Sequence, residues 1–255
     1  MNTAIPTEEH LDRLSRRCYG DPSNRGWRVR LRHRFGYHTS NAWYQGAVEH
    51  LVTDGCHWID IGGGKSLFPH NEVLSKELAE RCSLLVGVDP SDNIKDNPFV
   101  HERAKSTIED YQSDRTFDLA TLRMVAEHIE QPQRVVDSLR RLMKPGGRVV
   151  IYTPNRWSPI SLAASLVPYK WHTTLAGRGN YDVFPTYYKM NTRKCLRGLF
   201  EESGFKECAF KYVDDCGLFQ RKRATHFLEL CMWRILRALR LKYPENTLIG
   251  IYERI

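Results

Sequence analysis

The sequence contains no CxxC pair. Its seven cysteines, at 18, 56, 82, 195, 208, 216 and 231, are odd in number, and no two are closer than eight residues. That spacing supports neither a metal knuckle nor a disulfide framework. No window approaches the roughly 20 unbroken apolar residues of a membrane-spanning helix. The first 25 residues mix acidic, basic and polar groups without the apolar centre of a signal peptide, so a cytoplasmic protein is expected. Internal repeats and low-complexity tracts are also lacking, which excludes solenoids and collagen-like chains. What is present is 41% hydrophobic and 27% charged residues in a chain of 255. That balance suits one large ordered domain with elaborations.

Charge is unevenly spread: residues 1–50 carry +3, 51–150 carry −3 and 151–255 carry +8. Basic flanks around a near-neutral centre suit an anionic partner such as phosphate, nucleic acid or a lipid surface, or serve solubility alone. Arg28, Arg30, Arg32 and Arg34 alternate with Val29, Leu31, His33 and Phe35. An extended backbone would place the four guanidiniums on one side, to bind phosphate or a carboxylated sugar or to form a solvated edge. Residues 224–242 read as a helix with Arg234, Arg237 and Arg240 on one flank and apolar residues around most of the rest. Such a helix suits peripheral contact with a membrane interface, cover for an active site, or a dimer contact.

The centre of the chain alternates strand-like and helix-like segments. Short apolar runs at 56–61, 83–89, 117–122 and 147–153 read as buried strands, and 204–214 and 246–255 as two more. Helical spacing runs through 70–82, with Val73, Leu74, Leu78 and Ala79 on one face, and from Pro132 to a stop at Pro145-Gly146-Gly147. A third helix follows the cap Asn191-Thr192 and ends at Gly204. Strands alternating with helices imply an α/β fold, with a mostly parallel, doubly wound sheet. Residues 154–190 hold four prolines and many aromatics without clear periodicity, the pattern of a functional insertion or lid.

The sharpest chemical signal is Asp60-Ile61-Gly62-Gly63-Gly64-Lys65-Ser66, where the first strand ends. Glycines there let the backbone bend tightly and approach a ligand closely. Asp89, at the end of the next strand, is placed to accept hydrogen bonds from both ribose hydroxyls of a nucleotide-like ligand. A Walker loop needs a glycine where Ile59 stands. A dinucleotide fingerprint needs one at Leu67, so an NAD-dependent enzyme survives as a weaker alternative. Asp60 suits an ammonium group and would repel a pyrophosphate.

These residues resemble the class I S-adenosylmethionine-dependent methyltransferases. HWIDIGGGKS is similar to the family's acid-x-G-x-G-x-G motif, with Ser66 in place of the last glycine. LLVGVDPS resembles the second-strand acid, FDLATLRMVAEHI the fourth strand with its following segment, and LMKPGGRVVIYTPN the entry to the fifth strand. The resemblance covers roughly residues 50–155. It implies a Rossmann-like sheet of seven strands, with an insertion after the fifth strand, a helical insertion before the last, and an antiparallel last strand closing the sheet. On this reading, 1–255 is a single methyltransferase domain, with 1–50 a helical, basic cap and 154–190 and 215–245 substrate-side insertions. The cofactor implied is S-adenosyl-L-methionine: Asp60, Gly62, Gly63 and Gly64 at its methionine part, Asp89 at the ribose, Ile108 and Glu109 at the adenine, and Arg123 near the methionine end or the acceptor.

His128 is then the candidate base for a hydroxyl nucleophile, because a neutral imidazole suits that work near pH 7; the other reading is a local turn-shaping histidine. Leu122-Arg123-Met124-Val125 lacks the N/D-P-P-Y/F run of amino-methylating enzymes and the cysteine of cytosine-carbon methylation. Arg123 is hostile to Mg²⁺, so no metal is expected. An oxygen acceptor on a small molecule, sugar or lipid-linked compound is left. YDVFPTYYKMNTRKCLRGLFEESGF resembles a segment of methyltransferases from bacterial polysaccharide and secondary-metabolite clusters. Tyr181, Phe184, Tyr187 and Tyr188 are candidates to stack on the acceptor and His172 or Asn191 to bond its hydroxyls, or the aromatics fasten the insertion to the sheet. The rival from another class is a methyltransferase-fold protein without catalysis that holds nucleic acid or another anionic partner.

Overall fold

The computed structural model describes residues 5–159, 161–162 and 184–255. Seven strands form one sheet: β1 (His57–Ile61), β2 (Leu84–Val88), β3 (Glu102–Ala104), β4 (Phe117–Arg123), β5 (Met143–Pro154), β6 (Phe205–Asp214) and β7 (Glu245–Arg254), in the order β3-β2-β1-β4-β5-β7-β6. The first five pair in parallel, and β7 is antiparallel to both neighbours, β5 and β6. The order reverses at β1, which sits between β2 and β4. In an open α/β sheet, such a reversal leaves a crevice beyond the strands' carboxyl ends.

Alternation along the strands builds a core on each side. Ile59, Leu122, Ile151 and Tyr252 face helices α5 (Pro132–Leu142) and α6 (Arg193–Glu202), which bury Val135, Leu139, Leu196 and Phe200 against them. Trp58, Leu85, Val150 and Ile251 face the other way, onto α1 (Glu8–Tyr19), α3 (Ser40–Leu51) and α4 (Glu72–Arg81). A third, smaller core joins α2 (Trp27–Phe35) to α7 (Arg223–Ala238) through Leu31, Tyr37, Leu230 and Trp233. Since Asp214 pairs with Glu245 and Pro154 with Thr247, α7 leaves and rejoins the sheet at the edge where the parallel strands end.

The doubly wound, seven-stranded architecture is the expected one, with local corrections. Residues 28–34 are helical, not extended. Trp27, Leu31 and Phe35 recur at intervals of four and pack in the third core, while Gly36, at φ +64, stops the helix. The four arginines therefore share no single side, and Arg32 turns inward to donate to Gln220 Oε1 at 2.6 Å. Helix α5 stops at Leu142, and the Pro-Gly-Gly run expected to end it lies within β5. Val73, expected on the buried face of α4, is exposed, and Ser75 is buried beside Leu74 and Leu78. Helix α7 ends at Ala238, so Arg240 lies beyond it at φ +55. The last strand, β7, is antiparallel as expected and lies between β5 and β6.

The Phe200 ring stacks on Tyr252 at 4.3 Å between centroids and meets Phe205 edge-on at 5.1 Å. Phe200→Ala is expected to cost about 3–5 kcal/mol, read as a lower denaturation midpoint with an unchanged denaturant slope.

Candidate active site

The chain leaves β1 through a turn that requires glycine. Gly62 has φ +71, and a Cβ there would lie 2.2 Å from Val125 Cγ2. Its N–H donates to Val88 O at 2.8 Å, joining the turn to the end of β2. Gly64 has φ +45, and a Cβ there would meet nothing nearer than Asp89 Oδ2, at 3.9 Å. Its backbone is therefore approachable from that side. The opposite side is held by Asn97, whose Nδ2 donates to the carbonyls of Gly63 and Gly64 at 3.3 and 3.2 Å. Asn97 is fully buried, and its own carbonyl accepts two hydrogen bonds from Arg103.

Helix α4 does not start at this turn. Leu67 and Phe68 first enter the core, and the helix is capped by Asn71, whose Oδ1 accepts from Leu74 N while its Nδ2 donates to Gln45. Its capped N–H, that of Leu74, is thus spent away from the glycines. A pyrophosphate held by a helix N-terminus next to the turn, as the dinucleotide alternative requires, has no counterpart in this arrangement.

Asp60 and Asp89 flank the turn from adjacent strands. Asp60 is buried, and its Oδ1 accepts from Thr121 Oγ1 at 2.6 Å, which accepts in turn from Trp58 Nε1 at 2.7 Å. Burial pushes the Asp60 carboxyl up to about 7, reinforced by the charge of Asp89 and opposed by the Thr121 hydrogen bond and by Arg123. Asp89 Oδ2 accepts from Gly64 N at 2.9 Å, and its Oδ1 from Ser91 N at 2.8 Å. Ser106 N donates to Asp89 O, drawing the chain that carries Ile108 and Glu109 beside this acid. Ile108 is buried in the core and Glu109 half-buried. Arg123, half-buried at the end of β4, holds down the carboxyls of both Asp60 and Glu127.

His128 lies one short turn beyond β4. Its Nδ1 is 2.9 Å from Pro185 O; the carbonyl can only accept, so Nδ1 carries the proton and the neutral ring has its lone pair on Nε2. The ring packs against Phe184, with centroids 6.0 Å apart. Nε2 is 4.0 Å from Oε1 of Glu127. Glu127 is a buried carboxyl whose pKa desolvation raises, and its Oε2 accepts from Thr153 Oγ1 at 2.8 Å. Its backbone carbonyl accepts from both Tyr187 N and Tyr188 N, so residues 184–191 are fastened to the end of β4. Phe184 is exposed beside His128, and Tyr187 and Tyr188 are half-buried. Asn191 is fully buried, its Nδ2 spent on Thr153 Oγ1 and Pro154 O. In this arrangement it fastens the segment and is not presented at a surface. His172 and Tyr181 lie outside the described residues.

The structure thus gathers Asp60, the three glycines, Asp89, Ile108 and Arg123 around the sheet reversal, with His128, Phe184, Tyr187 and Tyr188 beyond β4. Sequence reading missed Asn97, Thr121 and Glu127. Thr121 has a signal in hindsight, a hydroxyl in the buried run Leu119-Ala120-Thr121-Leu122, whereas Asn97 and Glu127 have no local one.

The family described as "Methyltransferase domain" matches residues 24–207. A ubiquinone biosynthesis O-methyltransferase of Coxiella burnetii (strain Dugway 5J108-111) is 27% identical over 161 residues, 59% of this chain and 66% of the relative. A mitochondrial protein of the same name from Dictyostelium discoideum is 27% identical over 150 residues, 53% of this chain and 47% of the relative. The chain thus spans just under two thirds of the length of the first and about half of the second. Among solved structures, an S-adenosylmethionine-dependent methyltransferase from Mesorhizobium loti shares the fold at a TM-score of 0.55, with 17% identity, over 85% of this chain and 98% of its own.

Gly62→Ala is expected to destabilise by about 2 kcal/mol or more, and Val125→Ala, which removes the colliding methyl, to restore part of the loss; paired thermal melts check both. Asp60 has a second, pH-dependent signature. Its folded pKa lies above the ordinary 3.8, so the unfolded chain ionises first. Stability is then lost as pH rises from about 4 to about 7 and stays lower above that. Asp60→Asn, which still accepts from Thr121, is expected to stabilise the ligand-free protein at pH 8 by at most about 4 kcal/mol and to have no such effect near pH 4.

Proposed function

We propose, from the premise that the chain belongs to the methyltransferase-domain family and takes S-adenosylmethionine as its methyl donor, that it methylates a hydroxyl oxygen of a small molecule, with His128 as the base. The observation that carries this reading is the tautomer imposed on His128. With Nδ1–H committed to Pro185 O, the basic nitrogen is directed away from the anchoring bond, and the imidazole packs against the Phe184 ring.

The residues present fit the donor. The approachable flank of Gly64 beside Asp89 suits a ribose whose hydroxyls donate to that carboxylate. The buried Asp60, next to three glycines, suits the ammonium of the methionine part. Ile108 and Glu109 would border the adenine, and Arg123 the methionine carboxylate. The bound donor supplies an electrophilic methyl on a sulfonium that departs as a neutral thioether. What remains for this chain is to align a hydroxyl with the S–CH₃ axis and to take its proton. Such alignment is worth up to roughly 7–11 kcal/mol in favourable cases. His128 Nε2 would accept the proton, and the imidazolium would be steadied by Pro185 O on one side and by Glu127, 4.0 Å away, on the other.

An oxygen acceptor is supported by the names of the two relatives above, both O-methyltransferases. A sugar or lipid-linked acceptor is supported by the aromatics Phe184, Tyr187 and Tyr188, fastened beside His128.

The decisive experiment follows isotopically labelled methyl from the donor into acceptors of fractionated cell extracts. His128→Ala is expected to lower kcat by roughly 10²–10⁴ while leaving the donor Kd unchanged; unchanged turnover across a pH series removes the base assignment. Donor binding is expected to tighten as pH rises towards about 7, because Asp60 must lose its proton to face a cation. Asp60→Asn is expected to flatten that dependence, as read by titration calorimetry.

A further inference from the structure

Helix α7 is held by one side only. Its inner arc, His226, Glu229, Leu230 and Trp233, is buried against α2 and the sheet edge. The arc opposite carries Leu228, Met232 and Ile235, which continue into Leu239 and Leu241; all are exposed, Leu228 at 65% and Ile235 at 59%. Phe227 closes the arc by packing edge-on against Phe35 of α2, 5.6 Å away. An apolar stripe of this length on a surface helix marks an interaction site.

The exposed charges on the stretch that carries the stripe have one sign. Between Asp215 and Glu245 the only acid is Glu229, which is buried and bonded to His226 Nδ1 at 3.0 Å. Every exposed charge on this stretch is therefore a cation: residues 221–223, Arg234, Arg237, Arg240 and Lys242. At 100° per residue, Arg223 and Arg234 fall on one border between the buried arc and the exposed apolar arc, and Arg237 continues the line of the buried arc one turn beyond Trp233. Arg237 is tied to Glu8 at 2.6 Å, while Arg234 leans over the Phe35 ring. The neighbouring α2 adds Arg28, Arg30 and Arg34, all exposed, within a stretch from 22 to 48 that contains no acid. No helix among the described residues is long and apolar enough to cross a membrane.

We propose that α7 docks this protein on the surface of an anionic lipid bilayer, its exposed apolar arc entering the boundary between headgroups and acyl chains. The arginines of α7 and α2 then meet lipid phosphates. A wide apolar arc bordered by cations, on a helix too short and too charged to span, is the form that lies in the interface plane, and juxtaposed basic residues add attraction to anionic headgroups. A second copy of the chain fits worse, because two such faces brought together would oppose cation to cation. The docked face belongs to the excursion that leaves and rejoins the sheet where the parallel strands end. An acceptor dissolved in the bilayer would thus be met on the site's own side of the sheet. The docking does not depend on the methyl-transfer reading.

The test is flotation of the full chain with vesicles of phosphatidylcholine alone and of phosphatidylcholine mixed with phosphatidylglycerol. Binding to the anionic vesicles is expected to exceed that to the neutral ones by at least about tenfold and to weaken with added salt. Leu228→Asp with Ile235→Asp is expected to abolish it, and Arg234→Gln with Arg240→Gln to remove most of the preference for anionic lipid. Both pairs are exposed, so circular dichroism and donor titration should match the unaltered protein, which separates loss of docking from loss of the donor site. Equal binding to both vesicles, binding to neither, or wild-type binding by the Leu228/Ile235 variant overturns the proposal. So does a concentration-dependent dimer in lipid-free solution that the same variant converts to monomer.

Discussion

A carboxylate buried at the end of a central strand, with one hydroxyl as its hydrogen-bond donor among the described residues, is the constraint on which this structure turns. Asp60 is placed there by the strand, steadied by the line from Trp58 through Thr121, and kept close to the turn because Gly63 has no side chain: a Cβ there would lie 2.7 Å from its Oδ2. Burial of an under-solvated acid costs the ligand-free fold stability. The same cost makes the site receptive to a cation, since a positive ligand restores what water no longer supplies. Arg123 supplies part of that compensation from the neighbouring strand.

The second acid divides its labour differently. Asp89 already accepts two backbone N–H groups, from Gly64 and Ser91, and thereby connects the turn to the chain after β2. Each of its oxygens retains acceptor capacity, so organising the turn does not exhaust it. Asn97 completes the arrangement from the opposite side. Beside the Gly62–Val88 backbone bond, the glycine segment is held by the side chains of one amide and one carboxylate, neither of them within the motif that drew attention to it.

Most strands and the motifs at their ends were legible because buried parallel strands announce themselves as short apolar β-branched runs, and five of the six located from sequence appear within two residues of their expected limits. Where the reading slipped, a different physical signal was decisive. At 28–34 the polar alternation was conspicuous, but the apolar period of four set by Trp27, Leu31 and Phe35 determined the helix. The edge strand β3 is three residues long, Glu-Arg-Ala, with no apolar run to reveal it. At the candidate site, residues lying at strand ends, Asp60, Asp89 and Arg123, could be read from position. Asn97 and Glu127 act through tertiary contacts with partners tens of residues away, which no local pattern records. Asn191 illustrates the converse: a polar residue in an aromatic stretch looked available, and its burial commits it to Thr153 and Pro154.

The placement of β7 carries a consequence for how this chain comes to be folded. Among the described residues, the backbone ladder of β6 is with β7 alone, which is later in the chain yet lies inward of it. During translation, β6 emerges with no strand to join, and β5 presents a bare apolar margin until residues 245–254 follow. The five parallel strands can pair before then, but β6 cannot be joined to them until β7 is delivered, and a nascent chain arrested earlier would display two open margins to its neighbours in the cell.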